Sequence, residues 1–409
     1  MASRDTRPVV IVGAGLGGLT LALALVRKGL PVTVLEQAAA LGEVGAGVQI
    51  SANGARVLDT LGLSPALAEV AFFPEAGEMR HWRTGETLIS RPLGEISIAR
   101  FGFPYYHLHR ADFHGVLSDA LLTAAPGCVR LSAKVVAVEQ DGGSVTAVTE
   151  QGERVKGRVL VGADGIHSAI RAELFGADQP RFTGVVAWRA TIPVARLPAG
   201  HVRPVSSNWI GQGGHFVHYY LRRGELVNCV GCVEHATWAE ESWSAEGAKA
   251  GFAEDFEGWH EDLQVLIRHA ETCFRWGLFD RDPMPAWSAG RVTLLGDACH
   301  AMLPFMAQGA VMSIEDAYVL ADCLTAIDDP VAALQAYESH RLERTASVQQ
   351  MSRDNRYLFH DAAAATEEQL AGHRARHEWL YGYDATAVAW RRGLDPSSEC
   401  RPDSGSLRI

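Results

Sequence analysis

The hydrophobic pattern opens on a continuous apolar run, Val9-Val10-Ile11-Val12, that breaks into Gly13-Ala14-Gly15-Leu16-Gly17-Gly18. A run apolar at every position reads as a strand buried on both faces. The pattern then predicts a helix over residues 16–28, stopped by Gly29-Leu30-Pro31, and a second buried strand over 32–35. Shorter helices are predicted over 54–61 and 111–122. Residues 131–163 alternate as a β-meander, with turns at Asp141-Gly142-Gly143-Ser144 and Gln151-Gly152 and a buried strand at Val159-Leu160-Val161. Residues 182–233 are β-rich, broken by Pro193, Pro198 and Pro204, with a hairpin tip at Arg222-Arg223-Gly224-Glu225. A helical region over 245–269, a short strand over 274–279 and an apolar strand at Val292, Leu294 and Leu295 follow. Helices are predicted over 315–324, 331–359 and 367–378, and residues 393–409, without periodicity, as a mobile tail.

At 409 residues and 47% hydrophobic content the chain can bury a large core. Acidic residues outnumber basic ones by 48 to 37, which argues against a nucleic-acid partner. No apolar stretch approaches the roughly 18 residues of a membrane span, and no signal peptide is visible, so neither membrane nor export is expected. Seven cysteines are few for this length, and a reducing cytoplasm fits. Cys229 and Cys232 have CxxC spacing, but they sit in strand-like sequence with no second pair nearby. No metal site is predicted.

Three stretches carry chemistry. The first is GxGxxG at Gly13, Gly15 and Gly18, in a strand–turn–helix–strand context, with Glu36 closing the second strand. The glycines permit a tight turn and close approach to a pyrophosphate, the helix start offers N–H groups, and the acid can hold ribose hydroxyls. That fits NAD or FAD, without choosing between them. The second is the turn at Asp164-Gly165, and the third runs from Leu294 through Gly296-Asp297 and Pro304 to Gln308-Gly309-Ala310. A carboxylate at a strand exit can hold a ribitol hydroxyl, and a helix start can hold an electron-rich ring edge. The glycine-rich segment 42–53 suggests backbone close to something flat.

In this order, GxGxxG, Asp164-Gly165-x-x-Ser168-x-x-Arg171 and Gly296-Asp297 with Pro304 resemble the flavin-dependent group A aromatic hydroxylases. Asp297 to His300 and Met306 to Ala310 look most like salicylate hydroxylases, 3-hydroxybenzoate 6-hydroxylases and 6-hydroxynicotinate 3-monooxygenases. The resemblance implies an α/β, p-hydroxybenzoate hydroxylase-like fold. In it a Rossmann-like FAD-binding domain (1–75, 100–180, 275–325) interleaves with a β-sheet substrate domain (76–99, 181–274), followed by a helical region (326–392). It implies tightly bound FAD, transient NADH or NADPH, O2 and a small aromatic substrate, in a monomer or homodimer. Glu36 would hold the adenosine ribose and Asp297 the ribitol chain. Gln37, Val48, Arg110 and Val136 would add cofactor contacts. The Asp164 turn would serve FAD and NAD(P)H together, and the flavin would lie at the Gln308–Ala310 backbone.

Such chemistry forms a C4a-hydroperoxide on the flavin, so the protein must exclude water, hold a ring nearby and favour its phenolate. In His215-Phe216-Val217-His218-Tyr219-Tyr220, alternate residues share a face, and the Cα atoms of His215 and Tyr219 lie roughly 13 Å apart. His215 is the expected base or hydrogen-bond partner, Tyr219 the orienting group, and Gln308 completes the pocket. Arg189 and Arg222 are candidate carboxylate partners. The hydroxynicotinate enzymes carry histidine where this chain has Gln49 and Phe305, which favours a benzene over a pyridine substrate. Competing readings are a halogenase, disfavoured by Ala190 in Trp188-Arg-Ala190-Thr-Ile192-Pro193, an oxidase, and a non-catalytic flavoprotein.

Overall fold

The computed structural model describes residues 5–42, 47–236, 247–361, 363 and 366–387. The expected mobile tail at 393–409, and residues 245 and 246 of the expected helix, lie outside these residues.

Two large sheets organise the chain. The first has the order Ser288–Ala289, Val292–Leu294, Val159–Gly162, Val9–Val12, Val32–Leu35, Val129–Arg130. It is parallel apart from the edge strand Ser288–Ala289. Val9–Val12 is central and buried at all four positions, which is why no polar residue interrupts it. Parallel neighbours need a crossover, and helix Leu16–Arg27 supplies the one from Val9–Val12 to Val32–Leu35.

The second sheet has the order Phe274–Asp280, Arg181–Pro193, Leu226–Glu234, Gly214–Leu221, Ser206–Gly211, Ala76–His81, Thr87–Pro92. Only Ser206–Gly211 and Ala76–His81 run parallel in it. The meander forms a separate three-stranded sheet, and Gly47–Ile50 pairs with Tyr106–His109 as a two-stranded ribbon.

Helices Ser64–Val70, Gly94–Phe101 and Ala169–Phe175 are additions to the sequence pattern, and two of the expected helices differ from it. The one expected over 245–269 is two, Lys249–Asp255 and Glu261–His269, parted around Gly258, whose φ of 78° does not belong in a helix. The one expected from residue 315 begins earlier, as Gly309–Ala326. Glu315 and Asp316 imitate a solvated first turn in sequence, yet both are fully buried.

These two acids tie helix Gly309–Ala326 to the long helix after it and to Asn53, Gly296 and His300. Asp316 accepts hydrogen bonds from Arg341 Nε at 2.7 Å, His300 Nε2 at 2.5 Å and the Gly296 amide at 3.2 Å. Glu315 accepts from Arg344 at 2.8 and 2.9 Å and from Asn53 at 2.7 Å, and pairs with Arg341 at 2.8 Å. Both arginines come from helix Pro330–Phe359, whose start Asp329 caps through the Val331 amide. Burial raises both carboxyls. The charges of Arg344 and Arg341 beside Glu315, and of His300 and Arg341 beside Asp316, reverse this and hold them low. Cys299, His300 and Asp316 also bring ligand atoms within 4.8 Å of one another. Asp316 is committed to the contacts above, and the Cys299 thiol donates to the Gly296 carbonyl at 3.4 Å.

Removing one cation leaves buried acids uncompensated, so Arg341→Met is expected to cost about 3–5 kcal/mol in urea unfolding. A loss under about 1 kcal/mol would contradict this weight. Because both acids are held low in the folded chain, their contribution is present above the unfolded carboxylate range near pH 4 and is lost as pH falls below it.

Candidate active site

A cavity of about 820 Å³ runs from the glycine turn of the parallel sheet to one face of the seven-stranded sheet. Gly15 to Gly17 line its first end, Asp297, Gly309 and Ala310 its middle, and His215, Val217 and Tyr219 its far wall.

The first end follows from local geometry. Gly13 has φ 103°, and a Cβ there would lie 2.5 Å from the Ala163 carbonyl, so only glycine lets this turn pass the Asp164 loop. Gly15 then starts helix Leu16–Arg27 with no side-chain cap, leaving its first amides for an anion. Glu36 stands at the exit of the adjacent strand, its carboxylate accepting the Ala14 amide at 2.7 Å and the Ala38 amide at 2.8 Å.

The middle is a second helix start. Gly296 has φ 66°, and a Cβ there would meet Ser313 Oγ at 2.5 Å. The bend sends Asp297 beside Gly309, where a Cβ would lie 3.9 Å from the Asp297 carboxylate. Helix Gly309–Ala326 also lacks a side-chain cap. Ala307, just before it, holds a left-handed φ of 53°, a strained value for alanine that turns the chain into this helix.

The far wall is a row across the sheet. Arg189 pairs with Val230, Val230 with Val217, Val217 with Asn208 and Asn208 with Met79, and all five line the cavity. His215, Val217 and Tyr219 share this face. On the other face, Phe216 packs against Phe252 and Phe256, His218 accepts from Trp209 Nε1 at 3.0 Å, and Tyr220 donates to the Val202 carbonyl. His215 is buried, edge-on to Phe305 at 4.9 Å, with Nδ1 2.9 Å from His360 Nε2. Burial first, and His360 second, push His215 well below its usual range. Burial raises the Tyr219 hydroxyl, against a smaller lowering by Gln49. Arg189 lies over the rings of Trp276 and Phe274, its pKa lowered by burial and then by Arg110.

The structure thus gathers Gly15, Val48, Arg110, Asp297, Gly309, Ala310, His215 and Tyr219 around one cavity. Gln308 does not line it. Its amide donates to Ser51 at 3.0 Å and accepts from Asn53 at 3.2 Å, so the expectation that it completes the pocket gives way to a fastening role behind the helix start. Arg222 forms a two-point pair with Asp112 at 2.7 and 2.9 Å, away from the cavity, which leaves Arg189 of the two candidates. Asp164 bonds Ser168 and the Ile170 amide, and Arg171 bonds the Ala298 and Ile166 carbonyls, so this turn braces the Asp297 bend. Gln37 and Val136 are exposed and do not line the cavity. Cys229 and Cys232, three apart on one strand, face opposite sides of the sheet: Cys229 joins the Phe252 core, Cys232 the cavity. Sequence reasoning missed His360 and Tyr105, because the long helix and the ribbon bring them in from distant positions. Pairing around Gln49, which accepts from Tyr105 at 2.6 Å, is equally non-local.

The turn glycines, the two uncapped helix starts and Asp297 fit FAD laid along the cavity. The FAD binding domain family matches residues 6–352. A 3-amino-4-hydroxybenzoate 2-monooxygenase, PtmB3, from Streptomyces platensis is 41% identical over 399 residues, covering 95% of this chain and 99% of its own. A 6-hydroxynicotinate 3-monooxygenase from Pseudomonas fluorescens is 36% identical, covering 93% and 96%. A salicylate hydroxylase in complex with its substrate has a similar fold, with a TM-score of 0.80, 26% identity, and 93% and 96% coverage. The chain belongs to the FAD binding domain family, as a flavin-dependent aromatic monooxygenase of the p-hydroxybenzoate hydroxylase-like fold.

Proposed function

We propose that this enzyme hydroxylates a small phenolic carboxylic acid of the hydroxybenzoate class. The observation that carries the reading is the continuity of one cavity, with a dinucleotide cradle at one end and His215, Tyr219 and Arg189 on a single sheet face at the other. FAD, reduced by NADH or NADPH and exposed to O2, supplies an electrophilic oxygen atom.

The chain's own residues do the rest. Buried His215 stays neutral, and with Nδ1 engaged by His360 its Nε2 is the nitrogen available to a substrate hydroxyl. Drawing that proton makes the ring a better nucleophile. Tyr219 stays protonated and can donate a hydrogen bond that fixes the ring. Arg189 sits two strands and two residues from His215. Their Cα atoms are therefore about 12 Å apart, room for a benzoate with its carboxylate on Arg189 and its hydroxyl on His215. Phe305 and Phe359 flank His215 and keep water from that end. Gln49 is held by Tyr105, and Phe305 is apolar, so neither offers a pyridine nitrogen an imidazole. The FAD contacts follow the cradle: Gly13, Gly15 and Gly18 at the pyrophosphate, Glu36, Gln37 and Val136 toward the adenosine, Asp297 at the ribitol, Val48, Arg110, Gly309 and Ala310 toward the flavin.

No described helix is long and apolar enough to cross a membrane. Five of the six described cysteines are buried, which suits a reducing cytoplasm. We read the working form as a monomer or homodimer.

A panel of hydroxybenzoates and hydroxypyridines, following NADH loss and product mass together, tests the reading. A hydroxybenzoate is expected to give product one oxygen heavier, and turnover of hydroxypyridines alone would contradict it. His215→Ala is expected to lower product formation about 100-fold or more while NADH oxidation continues, and unchanged coupling would remove His215 from the chemistry. Loss of a charge-assisted bond is worth about 1.5–3 kcal/mol, so Arg189→Met should raise KM about 10- to 100-fold with FAD still bound. An unchanged KM would exclude Arg189 as the carboxylate partner.

A further inference from the structure

Behind His215 a line of polar side chains leads out of the cavity. His215 Nδ1 lies 2.9 Å from His360 Nε2, and His360 Nδ1 lies 3.1 Å from Glu234 Oε1. Arg356 donates to the same Glu234 oxygen through Nε at 3.1 Å and Nη2 at 2.9 Å. The line runs from buried to wet: His215 is 2% exposed, His360 6%, and the Glu234 side chain 44%. Backbone bonds fix it independently of the side chains. The Gly213 amide donates to the His360 carbonyl at 2.8 Å, and the Glu234 amide donates to the Gly213 carbonyl at 2.8 Å.

The polarity of the line is set at its outer end. Burial raises the Glu234 carboxyl, but the bonds from His360 and Arg356 hold it low, so it is an anionic acceptor. His360 Nδ1 must then carry the hydrogen, and its Nε2 accepts from His215 Nδ1–H. His215 is left with a lone pair on Nε2, the tautomer that takes a proton from a ligand.

We propose that His360 and Glu234 form a proton exit that carries the substrate's phenolic proton from His215 to solvent. The inference rests on the hydroxylase reading above. The phenol O–H bond breaks and His215 Nε2 gains the proton. His215 Nδ1 passes its own to His360 Nε2, and His360 Nδ1 passes its own to Glu234, which releases it to water. Both imidazoles end neutral as the opposite tautomers, and a proton returning along the same line when product leaves resets them. Arg356 acts as a positioning residue, holding Glu234 on His360.

The test mixes FAD-loaded enzyme, without NADH, with a hydroxybenzoate that the wild type hydroxylates. It follows the phenolate absorbance band and proton release to an indicator dye by stopped flow. His360→Phe and Glu234→Gln are each expected to slow both signals at least 10-fold, with substrate affinity within about twofold. Added imidazole is expected to restore part of the rate in His360→Gly. Wild-type release rates in folded, FAD-bound variants would overturn the exit. Were His360→Phe to fail to fold, Glu234→Gln, at the surface, decides alone. A wild type that binds and hydroxylates no phenol would sink the hydroxylase reading itself, a distinct outcome.

Discussion

The structure depends on four buried charges, Glu315, Asp316, Arg341 and Arg344. Burying them is tolerable only because every charge meets an opposite one with good hydrogen-bond geometry. Their placement explains the cavity. Asp316 grips the Gly296 amide and His300, which fixes the bend carrying Asp297. Glu315 grips Asn53, which with Ser51 fastens Gln308 behind the helix start at Gly309. The carboxylate and the helix start that line the middle of the cavity are thus tied to one cluster, to which the long helix Pro330–Phe359 supplies both arginines.

That helix has a second task. Its inner stretch supplies Arg341 and Arg344 to the cluster, and its far end brings Phe359 and His360 against His215. One element therefore contributes side chains near both ends of the cavity. The seven-stranded sheet completes the arrangement by holding His215, Tyr219 and Arg189 on one face. Its opposite face is filled by Phe216, Phe252 and Phe256.

What could be read from the chain was local. The apolar run at Val9–Val12, the glycines after it and Glu36 make a unit whose geometry needs few distant partners. A period of two decides that His215 and Tyr219 share a face, whatever they meet. What could not be read needed tertiary partners. Gln308 reads as a cavity residue from its place beside Gly309, but Ser51 and Asn53, more than 250 positions earlier, turn its amide away. Arg222 reads as a candidate anion partner until Asp112 is found beside it. Glu315 and Asp316 look like a solvated helix start because their cations lie some 25 to 29 positions on. His360 gives no sign in sequence of lying behind His215.

The central claim is that a single cavity joins the flavin to the aromatic site. Titrating the FAD-loaded protein with a hydroxybenzoate, in the absence of NADH, and recording the visible flavin spectrum tests it most directly. A saturable shift of the flavin bands, weakened in Arg189→Met, is the predicted result. A flavin spectrum indifferent to an aromatic that the enzyme nevertheless binds, or a protein that takes up no FAD, would contradict it.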